Sequence, residues 1–407
     1  MKKKDLLNVA LGIITSIGGF LEVGSMATSA SAGADFRFDL LWVIVFSTLC
    51  LIFLIEMSGR LAAVSKRALV DAVRERFGFV FTIIPRLLEI IVNLLVIAAE
   101  IGGVCLALKL ITGIPVAVWA IPVGVVLWLV LWLGTLEWIE NSTAILGLMT
   151  IAFVVAAWKL HPDPHEVLRG LIPSRAPHDS ARFWFLAVSI AGSTISPYMF
   201  TFYSSGAVEE KWDEESLTAN RLTAVIGMGF GCLMSIGVLV VSAMVFAPRN
   251  IHIDSYEQMA VILTPALGRW GFPLFVGSLA VCCFGAAVEI ALATAYMIGQ
   301  TFGWNWGENS EPTKGARFAL TYTIVVVLGA LIMTTGLDPM KLTMFSMALT
   351  AVILPAVVVP FLLLVNDEHY VGEHRSGWIG NTVVVVVVIV ASLIAIVAIP
   401  LELAGGS

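Results

Sequence analysis

Apolar runs of roughly 17 residues or more, divided by short polar breaks, recur along the whole chain. They fall at approximately 7–33, 39–58, 80–112, 115–136, 142–159, 182–209, 219–247, 270–301, 317–335, 339–365 and 377–400. Each is long enough to predict a helix that crosses a bilayer, and the short alternating strands of a transmembrane barrel are missing. The largest connections, 160–181, 248–269 and 302–316, are too short to fold alone. The pattern therefore predicts an all-α polytopic membrane protein in which residues 1–407 form a single transmembrane domain.

Two of these runs are interrupted. Gly18-Gly19-Phe20-Leu21-Glu22-Val23-Gly24-Ser25 breaks the first, where each glycine weakens a helix by about 1 kcal/mol and a carboxylate at bilayer depth needs an ion, water or a partner. Gly192-Ser193-Thr194-Ile195-Ser196-Pro197-Tyr198 breaks the sixth. Pro197 has no N–H and disfavours helical geometry at Ser196, which predicts an unwound stretch from Ser193 to Ser196. Interrupted spans at matching positions in two halves point to the binding site of a secondary transporter. Spans one to five (about 7–159) and six to ten (about 182–365) superpose as two five-helix units, each beginning with an interrupted helix. Five is odd, so the second unit inserts upside down, and residues 377–400 add an eleventh helix to this 5+5 inverted repeat.

Composition agrees, with 59% hydrophobic and 13% charged residues and a mean hydropathy of +0.95, which excludes an ordinary soluble domain. The net charge of −6 is spread over loops without a basic tract, so no nucleic-acid partner is expected. The expected partners are the lipid bilayer and a small ion; the oligomeric state stays open, and a monomer is compatible. Basic residues from Lys2 to Lys4, from Arg60 to Arg76, and at Lys211 and Arg221 weight the inner side. That bias orients the N-terminus to the cytoplasm in a multi-pass protein of the cell membrane. Lys2-Lys3-Lys4, an apolar run and Ala30-Ser31-Ala32 imitate a cleaved signal peptide, but Glu22 falls where such a peptide is uniformly apolar. Lys66 to Phe77 reads as an interfacial helix with basic residues between apolar ones. The five cysteines, Cys50, Cys105, Cys232, Cys282 and Cys283, lie in apolar segments and read as packing residues.

The candidate chemistry sits at the two breaks. Glu22 supplies a charge, and Ser25, Ser193, Thr194 and Ser196 supply hydroxyls beside unpaired carbonyls, an almost wholly oxygen set that suits hard cations such as Mg²⁺, Mn²⁺ or Ca²⁺. All six histidines lie in connections, so no imidazole is expected at mid-membrane. Glu56 with Arg60 and Glu89 with Arg86 read as local ion pairs. Glu100 and Glu289 lack such partners and are candidates for an ion or proton route, with interhelical hydrogen bonds as the structural alternative. Asn141-Ser142-Thr143 matches a glycosylation sequon but faces the cytoplasm in this topology. No hydroxyl has a histidine or lysine base nearby, so no enzyme is expected, and no cofactor beyond a divalent cation carried as substrate.

The run Glu22-Val23-Gly24-Ser25-Met26-Ala27-Thr28, with Ala32-Gly33-Ala34 and Leu40-Leu41-Trp42, resembles the first span of the NRAMP divalent-metal transporters. So do Arg74-Glu75-Arg76-Phe77-Gly78, Ala99-Glu100-Ile101-Gly102 and Gly336-Leu337-Asp338-Pro339. The resemblance implies a LeuT-like fold with discontinuous spans one and six, and a metal site built from those spans and the tenth. Carried over, the family's first-span Asp-Pro-Gly-Asn becomes Glu22-Val23-Gly24-Ser25, and its sixth-span Met-Pro-His becomes Ser196-Pro197-Tyr198. The Gln that the family often uses on the tenth span becomes Met347. Thr194 to Tyr198 is similar to the NRAMP-related magnesium transporters. The family's sixth-span His and third-span Asp are replaced here by Tyr198 and an apolar residue near Ile97, so proton coupling does not carry over. The implied function is alternating-access transport of Mg²⁺ or Mn²⁺. Glu22, Ser25, Ser193 and Ser196 would be the metal ligands, with Gly24, Thr194, Tyr198 and Met347 lining the site. The alternatives are a small-anion transporter, for example of bicarbonate, using the helix N-termini at the breaks, and a metal sensor that does not transport.

Overall fold

The computed structural model describes residues 22–134, 148–307 and 315–403. Thirteen helices carry the argument. They are α1 (Val23–Phe36), α2 (Leu41–Ser65), α3 (Leu69–Phe77), α4 (Phe79–Thr112), α5 (Val116–Leu133), α6 (Ile151–Lys159), α7 (Ser180–Thr194), α8 (Pro197–Glu209), α9 (Leu217–Val245), α10 (Gly271–Phe302), α11 (Ala316–Thr334), α12 (Pro339–Leu364) and α13 (Trp378–Leu403). Among the described residues, nine helical segments are long and apolar enough to cross a membrane, and a shorter apolar one covers Leu148–Lys159. Residues 1–21, the start of the fifth run and the Asn141 sequon lie outside the described residues.

Burial separates the helices into a central group and a lipid-facing shell. The segment Ser180–Glu209, which holds α7 and α8, is 94% buried over its apolar window, against 28% for α5 and 33% for α13. Nearly all of α1 is buried as well, and its run of Gly, Ala, Ser and Thr lets neighbouring backbones approach closely. Gly33 shows how close: a Cβ there would stand 2.2 Å from the Leu239 carbonyl oxygen of α9. The central helices α1, α7 and α8 are thus enclosed by α2, α4, α9, α10 and α12.

Buried charge in the scaffold is paired. Arg86 donates to Glu89 one turn along α4, and both side chains are 1% exposed. Arg60 donates to Glu56 at 3.1 Å, to Ser376 at 3.0 Å and to the His374 carbonyl. These partners explain a difference from the sequence reading. The second run, expected to end near residue 58, continues as helix to Ser65, because the arginine that marked its polar end is buried and its two terminal nitrogens are hydrogen-bonded. The expected interfacial helix is present as α3, with Val70 and Val73 buried and Arg74 paired to Asp71 at 3.1 Å.

Breaking a buried pair strands a charge. Arg86→Met is expected to destabilise the protein by about 3–5 kcal/mol, read as a lower midpoint for heat-induced loss of the monodisperse species in detergent. The double replacement Arg86→Met with Glu89→Leu should recover most of the loss. A single variant as stable as the parent would show that the pair does not hold α4.

Candidate ion-binding site

Glu22 is fully buried and extended (φ −96°, ψ 173°), and it stands immediately before α1. Its carbonyl accepts the first helical bond, from the Met26 N–H at 3.1 Å. One carboxylate oxygen, Oε2, accepts from the Tyr198 hydroxyl at 2.7 Å. The other, Oε1, has no hydrogen-bond partner among the described residues. A buried carboxylate oxygen left unpaired is costly unless the site supplies a cation or a proton.

The N-terminus of α1 is held from a distance. The Val23 N–H donates to both carboxylate oxygens of Glu100, at 3.1 and 3.4 Å, so an acid from the middle of α4 caps a helix 77 positions away in sequence. A carboxylate suits the positive end of the helix dipole. The Tyr256 hydroxyl binds Thr343 at 3.0 Å and reaches the Val23 carbonyl at 3.4 Å, which fixes the same turn from the other side. Glu289 stands near Glu100 and Tyr198, adding acidic charge on the α10 side.

The second break is shorter than expected. Only Ile195 and Ser196 leave the helix, while Ser193 and Thr194 form the last turn of α7. Pro197 occupies the first position of α8, which tolerates its missing N–H. The Ser196 hydroxyl replaces the lost donors by donating to the Gly192 and Ser193 carbonyls at 3.2 and 3.3 Å. Local side-chain bonding of this kind closes a gap that backbone rules alone would leave open. The first break is corrected in the same sense: Gly24 and Ser25 belong to the first turn of α1, Glu22 is extended, and residues 18–21 lie outside the described residues.

The two helix ends meet. Thr28 donates to the Gly24 carbonyl at 2.8 Å, and its hydroxyl lies 3.3 Å from that of Ser193, which donates to the Ile190 carbonyl at 3.0 Å. Hydroxyls whose protons go to carbonyls keep lone pairs for a cation. Met347 of α12 lies between the halves. A Cβ on Gly24 would stand 2.6 Å from the Met347 Sδ, and one on Gly192 would stand 1.8 Å from the Met347 carbonyl oxygen.

The structure thus gathers Glu22, Gly24, Ser193, Ser196, Tyr198 and Met347 around one locus, with Ser25 buried in the first turn of α1 and Thr194 buried at the end of α7. Glu100, expected on a polar route, acts here as a helix cap. Thr28, Tyr256 and Thr343 were missed. Thr28 had a usable signal, lying three residues from Ser25 on the same helix, whereas Tyr256 and Thr343 sit in segments with no local mark of a site. Among the described residues, no group of three or more His, Cys, Asp and Glu side chains is placed to hold a metal. A ligand set here would have to draw on hydroxyls, carbonyls and water.

The fold matches solved transporters. A mutant of the Eremococcus coleocola manganese transporter superposes with a TM-score of 0.81 at 19% identity, covering 99% of this chain and 88% of that one. MhsT in complex with L-phenylalanine gives 0.66 at 15% identity, covering 96% and 97%. The architecture is the LeuT-like one. In sequence, the divalent metal cation transporter MntH of Agrobacterium fabrum is 24% identical, over 92% of this chain and 83% of the relative. MntH of Deinococcus radiodurans is 25% identical, over 93% and 86%. The sequence profile described as natural resistance-associated macrophage protein-like matches residues 12–400, nearly the whole length, and the chain belongs to the Nramp family.

Proposed function

We propose that the protein is a secondary transporter that carries a hard divalent cation, Mg²⁺ or Mn²⁺, by alternating access. The observation that carries this reading is the buried Glu22 carboxylate, with one oxygen unpaired among the described residues, at a helix start that faces a second helix break. Glu22 is the charged ligand. Ser25, Ser193 and Ser196 contribute oxygens or order the waters that a small hard ion retains. Met347 lines the site, and its thioether gives softer ions a foothold. Divalent-metal transport by the curated relatives supports the cation class.

The small-anion reading needs the N-termini of both α1 and α8, and that of α1 already receives the Glu100 carboxylate. In the mechanism proposed, α1 swings about Glu22 and α7 about Ile195 and Ser196, where the helical bonding is interrupted. The N-terminus lies in the cytoplasm of the cell on this reading. The repeat units run over about 7–159 and 182–365, followed by an added helix at about 377–400.

Flux into proteoliposomes decides the function. Mg²⁺, Mn²⁺ and Ca²⁺ are offered singly and in competition, and uptake of Mg²⁺ or Mn²⁺ above protein-free vesicles is expected. Active, folded protein that moves none of them contradicts the proposal. Tyr198→Phe removes the Tyr198 hydroxyl that donates to Glu22 at 2.7 Å and is expected to raise the apparent KM for cation about tenfold, equivalent to about 1.4 kcal/mol, with the maximal rate largely kept. An unchanged KM would show that Tyr198 does not organise the carboxylate.

A further inference from the structure

The end of α1 away from Glu22 carries a second charged cluster. Asp35 Oδ2 accepts from the Arg182 Nε at 3.1 Å, and Asp35 Oδ1 lies 2.8 Å from the His252 Nδ1. The same guanidinium reaches Glu402 Oε1 at 3.2 Å. Four elements meet here: the end of α1, the start of α7, the connection after α9 and the end of α13. The Asp35 side chain is 4% exposed, whereas that of His252 is 68% exposed and open to protons from solution.

The neighbouring charges are already committed. Arg37 pairs with Glu166 at 2.9 Å, and Lys109 pairs with Glu257 at 2.6 Å. Asp39, whose carboxyl burial pushes up, sits among Arg169, Arg37 and His178, and the His178 ring stacks on Phe36 with centroids 4.8 Å apart. On the connection itself, Arg249 donates to the Val245 carbonyl and Asp254 donates its N–H to Gln258. Protonation of His252 therefore acts chiefly on Asp35. With His252 neutral, Asp35 and Glu402 outnumber Arg182 by one charge; with His252 protonated, the cluster balances.

We propose that His252, Asp35, Arg182 and Glu402 form a proton-sensitive clasp that ties α1 to α7 and must part for this side of the transporter to open. The sign follows from charge. With the imidazole protonated it pairs with Asp35 and the clasp is tight; with the imidazole neutral the pair loses its charge and the clasp loosens. The device is separate from the ion site, since Asp35 lies more than three helical turns from Glu22 along α1.

A cysteine reporter reads this directly without any cation. Ser31 lies one turn beyond Thr28, on the face of α1 turned toward α7, and its hydroxyl is buried. Ser31→Cys in a Cys232→Ser background would be alkylated at about pH 5.5 and 8, each rate divided by that of the same protein denatured at that pH. The normalised rate is expected to be about threefold or more higher at the alkaline pH. His252→Gln should remove this dependence, and His252→Lys should keep the rate low at both values. Glu402→Gln should raise the rate at both. A parent without pH dependence, or a His252→Gln protein that keeps it, overturns the proposal. Because His252 is largely exposed, its variants test the clasp even if Asp35 replacements fail to fold.

Discussion

Glu22→Gln is expected to lower divalent-cation uptake at least about a hundredfold, because loss of residues that merely orient a ligand already costs 10–100-fold in metal affinity and here the charged ligand itself is lost. The amide keeps the shape of the carboxylate and can still accept from Tyr198. A correctly folded, inactive protein is therefore the expected result, not an unfolded one. Glu22→Asp keeps the charge but withdraws it by one methylene, so intermediate activity is expected. Uptake assays paired with a thermal profile in detergent check both parts. Parental flux in Glu22→Gln would remove the carboxylate from the site.

The second large effect concerns the two glycines that face Met347. Gly24→Ala pushes a methyl into the flexible thioether, 2.6 Å from Sδ, while Gly192→Ala pushes one into a backbone carbonyl at 1.8 Å. Overpacking of the first kind costs about 1–3 kcal/mol, and a clash with backbone costs at least about 4–5 kcal/mol. Both variants should lose transport. Only Gly24→Ala should be rescued by Met347→Ala, since that change empties the space at Gly24 and leaves the carbonyl opposite Gly192 in place. Rescue is measured as returning uptake and thermal stability. Equal rescue of both, or of neither, would show that Met347 does not wedge the half-helices apart as described.

These contrasts also show what was legible in the chain. The apolar runs announced the helices, and the interruption at Pro197 announced α7 and α8, because hydrophobic length and a missing N–H act locally. The extent of each break was overestimated. Ser196 repairs the carbonyls that Pro197 strands, and Glu100 repairs the start of α1, so the helices resume sooner than residue preferences imply. The first repair is local, and an accounting of each serine hydroxyl would have found it. The second spans 77 positions and depends on how α4 lies against α1, which no periodicity encodes. The ion pairs Glu56 with Arg60 and Glu89 with Arg86 were visible as one-turn spacings. The clasp at Asp35 was not, since its four members come from four separate elements.

Tyr198 illustrates how a substitution is read differently once geometry is known. As a sequence difference it marks the loss of an imidazole from the family pattern. In the fold its hydroxyl points its proton at the one charged candidate ligand, which makes the residue an organiser of the carboxylate. Met347 changes in the opposite direction: beyond any donor role, it is a spacer packed on two glycines.

The central claim is that a divalent cation sits between the two helix breaks, held by Glu22. Crystals soaked in Mn²⁺ and measured for anomalous scattering test it most directly. The expected result is a peak between Glu22 and Ser196, within bonding distance of a Glu22 carboxylate oxygen, that disappears in Glu22→Gln. A peak elsewhere in the protein, or no peak here in crystals of protein that transports Mn²⁺, would contradict the account.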